Sequence, residues 1–149
     1  ALDTNTELDR VIYPKLEFID RLGYTAQFII ARKISKRFSA QLSPTLFHQN
    51  FVPFDPQDNT QFAMGFGARY KLTNRWSINA DYGAHLNRAN ESPFVNALSV
   101  GVDLETGGHV FQMHFTNAQP MLTNGFLSQG TGDWLEGRFY FEFNLIRVF

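Results

Sequence analysis

The groups in this chain that could carry chemistry are four histidines, one acidic loop, two glycine-rich tetrapeptides and a set of charges in alternating segments. His48, His85, His109 and His114 show neither H-x-x-x-H nor H-E-x-x-H spacing. His85 and His114 fall on the polar side of non-adjacent strands and His109 at a turn, so polar lining is expected and a metal site is not. The loop DPQDN (Asp55–Asn59) gathers oxygen ligands of the kind that hold Ca²⁺. It lacks the glycine and distal glutamate of an EF-hand and reads as an exposed turn. TGGH (Thr106–His109) and GTGD (Gly130–Asp133) do not link a strand to a helix, so neither should cradle phosphate. The first is a tight hairpin turn; the second belongs to a long loop, mobile or folded in. No Ser–His–Asp order with a nucleophile elbow appears, nor a carboxylate pair placed as acid and base. The absence of cysteine removes disulfides, thiolate metal sites and Cys nucleophiles. Neither an enzymatic activity nor a cofactor is expected.

The charges are more informative. Lys33, Arg69, Lys71, Asp81, Asp103, Glu105, Arg138 and Glu142 all fall on the small, polar side of alternating segments. They admit two readings: a wet lumen of mixed charge with little ion selectivity, or a plugged interior in which the charges pair off. Glycine and alanine on the same side leave room for a plug, and both readings stay open.

These residues are positioned by period-two alternation, and helical spacing is hard to find. Seven strands are expected: Tyr24–Ile34, Phe38–His48, Gln61–Leu72, Arg75–Leu86, Val95–Glu105, His109–Thr116 and Arg138–Phe149. One side of each is aromatic or aliphatic. Aromatic residues make up 15% of the chain, with sixteen Phe, yet mean hydropathy is only −0.23. That combination implies segregation by face. No apolar run approaches the roughly 18 residues a spanning helix needs, whereas strands of about ten residues suffice to cross a bilayer when tilted.

Short turns at Ser35–Arg37, Thr73–Arg75 and Thr106–Gly108 alternate with long polar loops at 50–60, 87–94 and 117–134. Bacterial outer-membrane barrels are built this way, with short turns toward the periplasm. Phe38, Tyr70, Trp76 and Phe149 then form an interfacial girdle beside the short turns, and Tyr24, Phe62 and Tyr82 a second toward the long loops. Outward-facing Arg32 and Arg147 lie within reach of the periplasmic rim, where they can snorkel. Pro44 sits mid-strand without a ladder donor and predicts a bulge or a broken pair. Net charge is −1, which gives no basis for nucleic-acid binding.

An odd strand count is a topological problem, because an unpaired edge in lipid is not tolerated. Residues 1–23 read as an extracellular loop holding a partial strand at Leu16–Ile19, and residues 24–149 as the barrel. The expectation is that strands preceding Ala1, or another chain, complete the wall.

The stretches LGYTAQFIIARKISKRFSAQLSPT (Leu22–Thr45), NTQFAMGFGARYKLTNRWSINADY (Asn59–Tyr82), GVDLETGGHVFQMHFTNAQPM (Gly101–Met121), TGDW and the closing NLIRVF resemble an uncharacterised outer-membrane β-barrel family of Bacteroidota. The resemblance covers nearly all of 22–149, and ETGGHVFQMHFTN is its most specific part. Family members are longer, with further strands on the N-terminal side, so the resemblance implies that this chain is the C-terminal part. It brings no known activity. A terminal Phe after such alternation resembles the signal read by the barrel-assembly machinery during insertion. The fold class expected is all-β, an antiparallel transmembrane barrel in the bacterial outer membrane, in contact with its lipid. Two functions are carried forward: porin-like passage of small solutes or ions, and a structural scaffold binding other envelope proteins. A soluble lipocalin-like barrel is a third, which the two girdles oppose.

Overall fold

Alternation of apolar with small polar residues becomes strand almost wherever it occurs. The computed structural model describes residues 2–4, 17–19, 22–52, 56–119 and 123–147. In chain order these form β1 (Leu2–Thr4), β2 (Leu22–Gln27), β3 (Ile30–Lys33), β4 (Phe38–Gln49), β5 (Thr60–Lys71), β6 (Trp76–His85), β7 (Ala97–Glu105), β8 (His109–Thr116), the helix α1 (Thr123–Ser128) and β9 (Tyr140–Arg147). All strands join one antiparallel meander ordered β1-β2-β4-β5-β6-β7-β8-β9, with β3 also on β4. The sheet curls into a half-barrel, and among the described residues no pairing joins β9 back to β1, β2 or β3.

Two departures from the sequence expectation lie at the N-terminal edge. Leu2–Thr4 forms a short strand on Leu22–Tyr24, which the sequence pattern did not reveal. Glu17–Ile19 is turn rather than strand, and Leu16 lies outside the described residues. The segment expected as one strand, Tyr24–Ile34, is divided into β2 and β3. Its cause is Pro44. Phe28 N–H donates to the Pro44 carbonyl at 3.0 Å, but proline has no N–H to return, so the reciprocal half of that pair is missing. The register is the same on both sides of the gap, Gln27↔Thr45 and Ile30↔Leu42. The pair is broken, and no residue is bulged out. On the opposite side of β4, pairing with β5 runs without interruption from Phe38↔Tyr70 to His48↔Thr60.

The short turns repeat one device. Ser35 Oγ accepts from Arg37 N–H and Phe38 N–H at 3.2 and 3.0 Å. Thr73 Oγ1 accepts from Arg75 N–H and Trp76 N–H at 3.1 and 3.0 Å. In each case the backbone N–H of the same Ser or Thr donates to the carbonyl of the aromatic residue three positions on. The third turn substitutes Gly107, at φ +79°, which other residues rarely adopt.

The two faces separate as expected. Phe62, Phe66, Tyr70, Ile78, Tyr82, Val100, Phe115 and Phe141 are large, apolar and exposed on the convex side. On the concave side lie Ser43, Thr45, Gln61, Ser77, Ser99 and Asp103, all buried.

Toward the long loops that burial is supplied by α1. Its six residues are too few to persist as a free helix; packing holds it. Leu127 joins Phe47 and Ala63 in a buried cluster flanked by Phe126. Gly83 is its seat: a Cβ at that position would stand 2.7 Å from Leu127 Cδ2.

Candidate functional site

Strand register arranges the concave face in rows. Nearest the short turns runs Lys71–Ser77–Asp103–Gln112–Asn144, each residue opposite the next on neighbouring strands. The second row is Lys33–Ser39–Arg69–Asn79–Gly101–His114–Glu142. The third is Ala31–Gln41–Gly67–Asp81–Ser99–Thr116–Tyr140. Beyond it lie the glycines and alanines that receive α1.

Asp103 is the hub of the first two rows, with its residue 2% exposed. Its carboxylate accepts from Asn79 Nδ2 at 2.7 Å and Gln112 Nε2 at 3.1 Å. The Ser77 hydroxyl donates to it at 3.5 Å, and Arg69 pairs with it at 3.1 Å while also giving its Nε–H to Ser77 at 3.0 Å. His114 Nε2 stands 4.0 Å away, its ring lying over Gly101, where any Cβ would collide with it. A buried carboxylate needs this many donors to remain charged away from water.

Above the third row residues 117–119 and 123–132 fold inward. Asn117, 4% exposed, accepts Leu98 N–H on its Oδ1 at 2.7 Å and donates Nδ2 to the Asn96 carbonyl at 3.0 Å. Its own carbonyl accepts from Thr131 and Gly132 N–H, and Val95 N–H donates to Gly130 at 2.8 Å. Arg88 ties the loops together, donating to the carbonyls of Ser128 at 3.3 Å and Val95 at 3.2 Å and to Asn96 Oδ1 at 3.1 Å. Burial draws the Arg88 guanidinium below its ordinary pKa, and the nearby Tyr82 acts in the opposite direction. Arg88→Met should speed exchange of the Val95 and Gln129 amides about tenfold or more, the equivalent of roughly 1–3 kcal/mol of lost charged hydrogen bonds; unchanged exchange rates would exclude Arg88 as a tie.

Lys33, Arg69, Lys71, Asp81, Asp103 and Glu142 all stand on the concave side, and Glu105 is exposed at the end of β7. Arg138 departs from the expectation: it precedes β9, and its exposed guanidinium pairs with Glu136 at 2.7 Å in the loop, with no place in the rows. Phe38, Tyr70 and Trp76 lie at the short-turn end of β4, β5 and β6; Phe149 lies outside the described residues. Of DPQDN, Asp55 lies outside them as well. Gln57 and Asn59 bind backbone, Gln57 Nε2 to Asn87 O at 3.0 Å and Asn59 Nδ2 to Gln49 O at 2.7 Å.

His85, facing inward, packs its ring 5.8 Å from Phe47. Among the described residues no group of three His, Cys, Asp or Glu side chains could hold a metal. Asn79, Gln112, Asn117 and Arg88 were missed by sequence reasoning. Their only signal was parity on a strand for the first two, and none for the loop residues.

No helix among the described residues is long and apolar enough to cross a membrane, a criterion that does not bear on strands. A family model described as "Membrane bound beta barrel domain (DUF5777)" matches residues 1–149. No curated protein and no solved structure matches the chain. With an apolar convex face, a polar concave face and a family match over its whole length, the chain belongs to this family of membrane-bound β-barrel domains.

Proposed function

We propose that the protein is a bacterial outer-membrane barrel giving porin-like passage to small solutes or ions, without catalytic activity. The wall would be completed by further strands of the same polypeptide or by another chain, and inserted by the barrel-assembly machinery. The observation that supports passage most directly is the polar concave face, with a cavity of about 440 Å³ reached by Lys33, Arg69, Asp81, Asp103 and His114. Such a lining against an apolar exterior is how aqueous lumens are built.

A second reading, a scaffold subunit for other envelope proteins, is favoured by the inward fold of residues 123–132, whose helix α1 packs on the concave side. Conductance across planar bilayers separates the two. Steady channels from the full-length barrel support passage, and a silent membrane with co-purifying envelope proteins supports the scaffold. Fractionation with inner membrane rather than outer would refute the proposed location.

Lipid contact on the convex face has its own test. Phe66 is mid-way along β5, whereas Tyr70 is near its short-turn end. Phe66→Arg should lower stability in vesicles by about 2–4 kcal/mol and Tyr70→Arg by about 0–1 kcal/mol, measured by guanidinium unfolding. Equal losses at both positions would contradict this register in the bilayer.

A further inference from the structure

The charges on the concave face are sorted by strand. Lys33 is on β3 and Arg69 and Lys71 are on β5, so the cations occupy one side. Asp81, Asp103 and Glu142 are on β6, β7 and β9, the other side. Pairing consumes only part of this set. Arg69 and Asp103 bind each other, but Lys33, Asp81 and Glu142 make no hydrogen bond or ion pair among the described residues. Arg69 uses Nε and one terminal nitrogen, leaving the other available.

Arg69 and Asp81 are diagonal neighbours on adjacent strands, since Arg69 faces Asn79. Their Cα atoms are thus about 7–8 Å apart. Even so they do not pair, because Arg69 leans toward the short turns to reach Ser77 and Asp103. Asp81 is one row closer to α1. Between them is open space: the 440 Å³ cavity includes Lys33, Arg69 and Asp81. A second cavity, about 320 Å³, shares Gln41, Gly67, Asp81 and His114 with the first and extends to Glu142 and to Phe126 and Leu127 of α1. Gly67 keeps the passage to Asp81 clear, because a Cβ there would sit 2.9 Å from Asp81 Oδ1.

We propose that this basin binds small zwitterions, solutes carrying a carboxylate and an ammonium a few bonds apart. The carboxylate meets Arg69 and Lys33 toward the short turns, and the ammonium meets Asp81 toward α1. An anion or a cation alone satisfies one set and leaves the other unpaired, so the arrangement discriminates against both. The inference rests on the concave face being the aqueous lumen of the proposed barrel.

The test is saturation-transfer NMR on the full-length barrel in lipid nanodiscs, with β-alanine, propionate and propylamine as probes. Saturable β-alanine binding at least tenfold tighter than that of either single-charge probe is expected. Asp81→Asn should weaken β-alanine at least tenfold and leave propionate unchanged. Lys33→Gln, at an exposed rim position, should weaken β-alanine and propionate together and leave propylamine unchanged; it serves even if Asp81→Asn fails to fold. Equal affinity for the three probes, or no β-alanine binding to the unaltered protein, would overturn the proposal. Bilayer currents without β-alanine binding would sink this inference and leave passage standing. Binding without currents would sink passage and leave the site.

Discussion

Replacing Gly83 with leucine should drive α1 off the barrel wall. The Gly83 position meets Leu127 Cδ2 at 2.7 Å and the Ala97 Cβ at 3.5 Å, so there is no volume for a side chain. To make room, Leu127 would have to give up its packing on Phe47 and Ala63, in which it is only 3% exposed. The wall itself should survive, since Gly83 pairs through its backbone with Gly65 and Ala97 in an extended conformation that any residue can adopt. The strain therefore falls on the helix, the weaker partner, which has one turn and a half of its own hydrogen bonds. The Gln129 amide, which donates to Gly125 at 2.8 Å, should exchange at least a hundredfold faster while β5 and β6 amides keep their protection. On the passage reading, conductance should rise several-fold with it. Gly83→Ala offers a graded control, with overpacking of about 1–3 kcal/mol. Unaltered protection at Gln129 in the leucine variant would mean that Gly83 is not the seat of the helix.

The second large effect is expected at Asp103. Asp103→Leu leaves Arg69, Asn79 and Gln112 without their shared acceptor, and removing one partner of a buried ion pair typically costs about 3–5 kcal/mol. Arg69 is half-exposed and can turn toward water, which places the expected loss at the lower end of that range. The measurement is the guanidinium midpoint in detergent micelles. Arg69→Met combined with Asp103→Leu should recover much of the loss, because the double change removes the stranded cation as well as its acceptor. A double variant less stable than Asp103→Leu alone would mean that Arg69 stabilises the wall by something other than its pairing with Asp103.

The architecture was legible because its signal is redundant: parity repeats over ten residues, so Phe62 to Tyr70 or Trp76 to Tyr82 identify a face even if one position misleads. The rhythm of short turns and long loops was legible for the same reason. Pro44 announced a defect, and its type followed only from register, which depends on which neighbour the missing N–H faces. β1 was hidden because three residues carry too little periodicity to distinguish strand from loop. Arg138 was misplaced by extending parity past the end of β9 into a loop, where Glu136 lies closer than the lumen. The sequence pattern named the lumenal charges but could not pair them. Arg69 finds Asp103 across two strand boundaries, and that proximity exists only once register is set. The segment 117–132 was ambiguous because α1 owes its position to Gly83 and Phe47, neither of which is near it in sequence.

The short turns built on Ser35 and Thr73 also bear on the order in which the wall assembles. Each closes on hydrogen bonds among four successive residues, so it can form before any distant part of the chain arrives. The hairpins β3–β4, β5–β6 and β7–β8 bring together residues close in sequence and need little loop-closure entropy. Joining one hairpin to the next requires closing the longer connections, and seating α1 requires that β4, β5, β6 and β7 have already brought Phe47, Ala63, Gly83 and Ala97 together. The chain should therefore reach the membrane as preformed two-strand units that zip sideways, with the inward segment settling last.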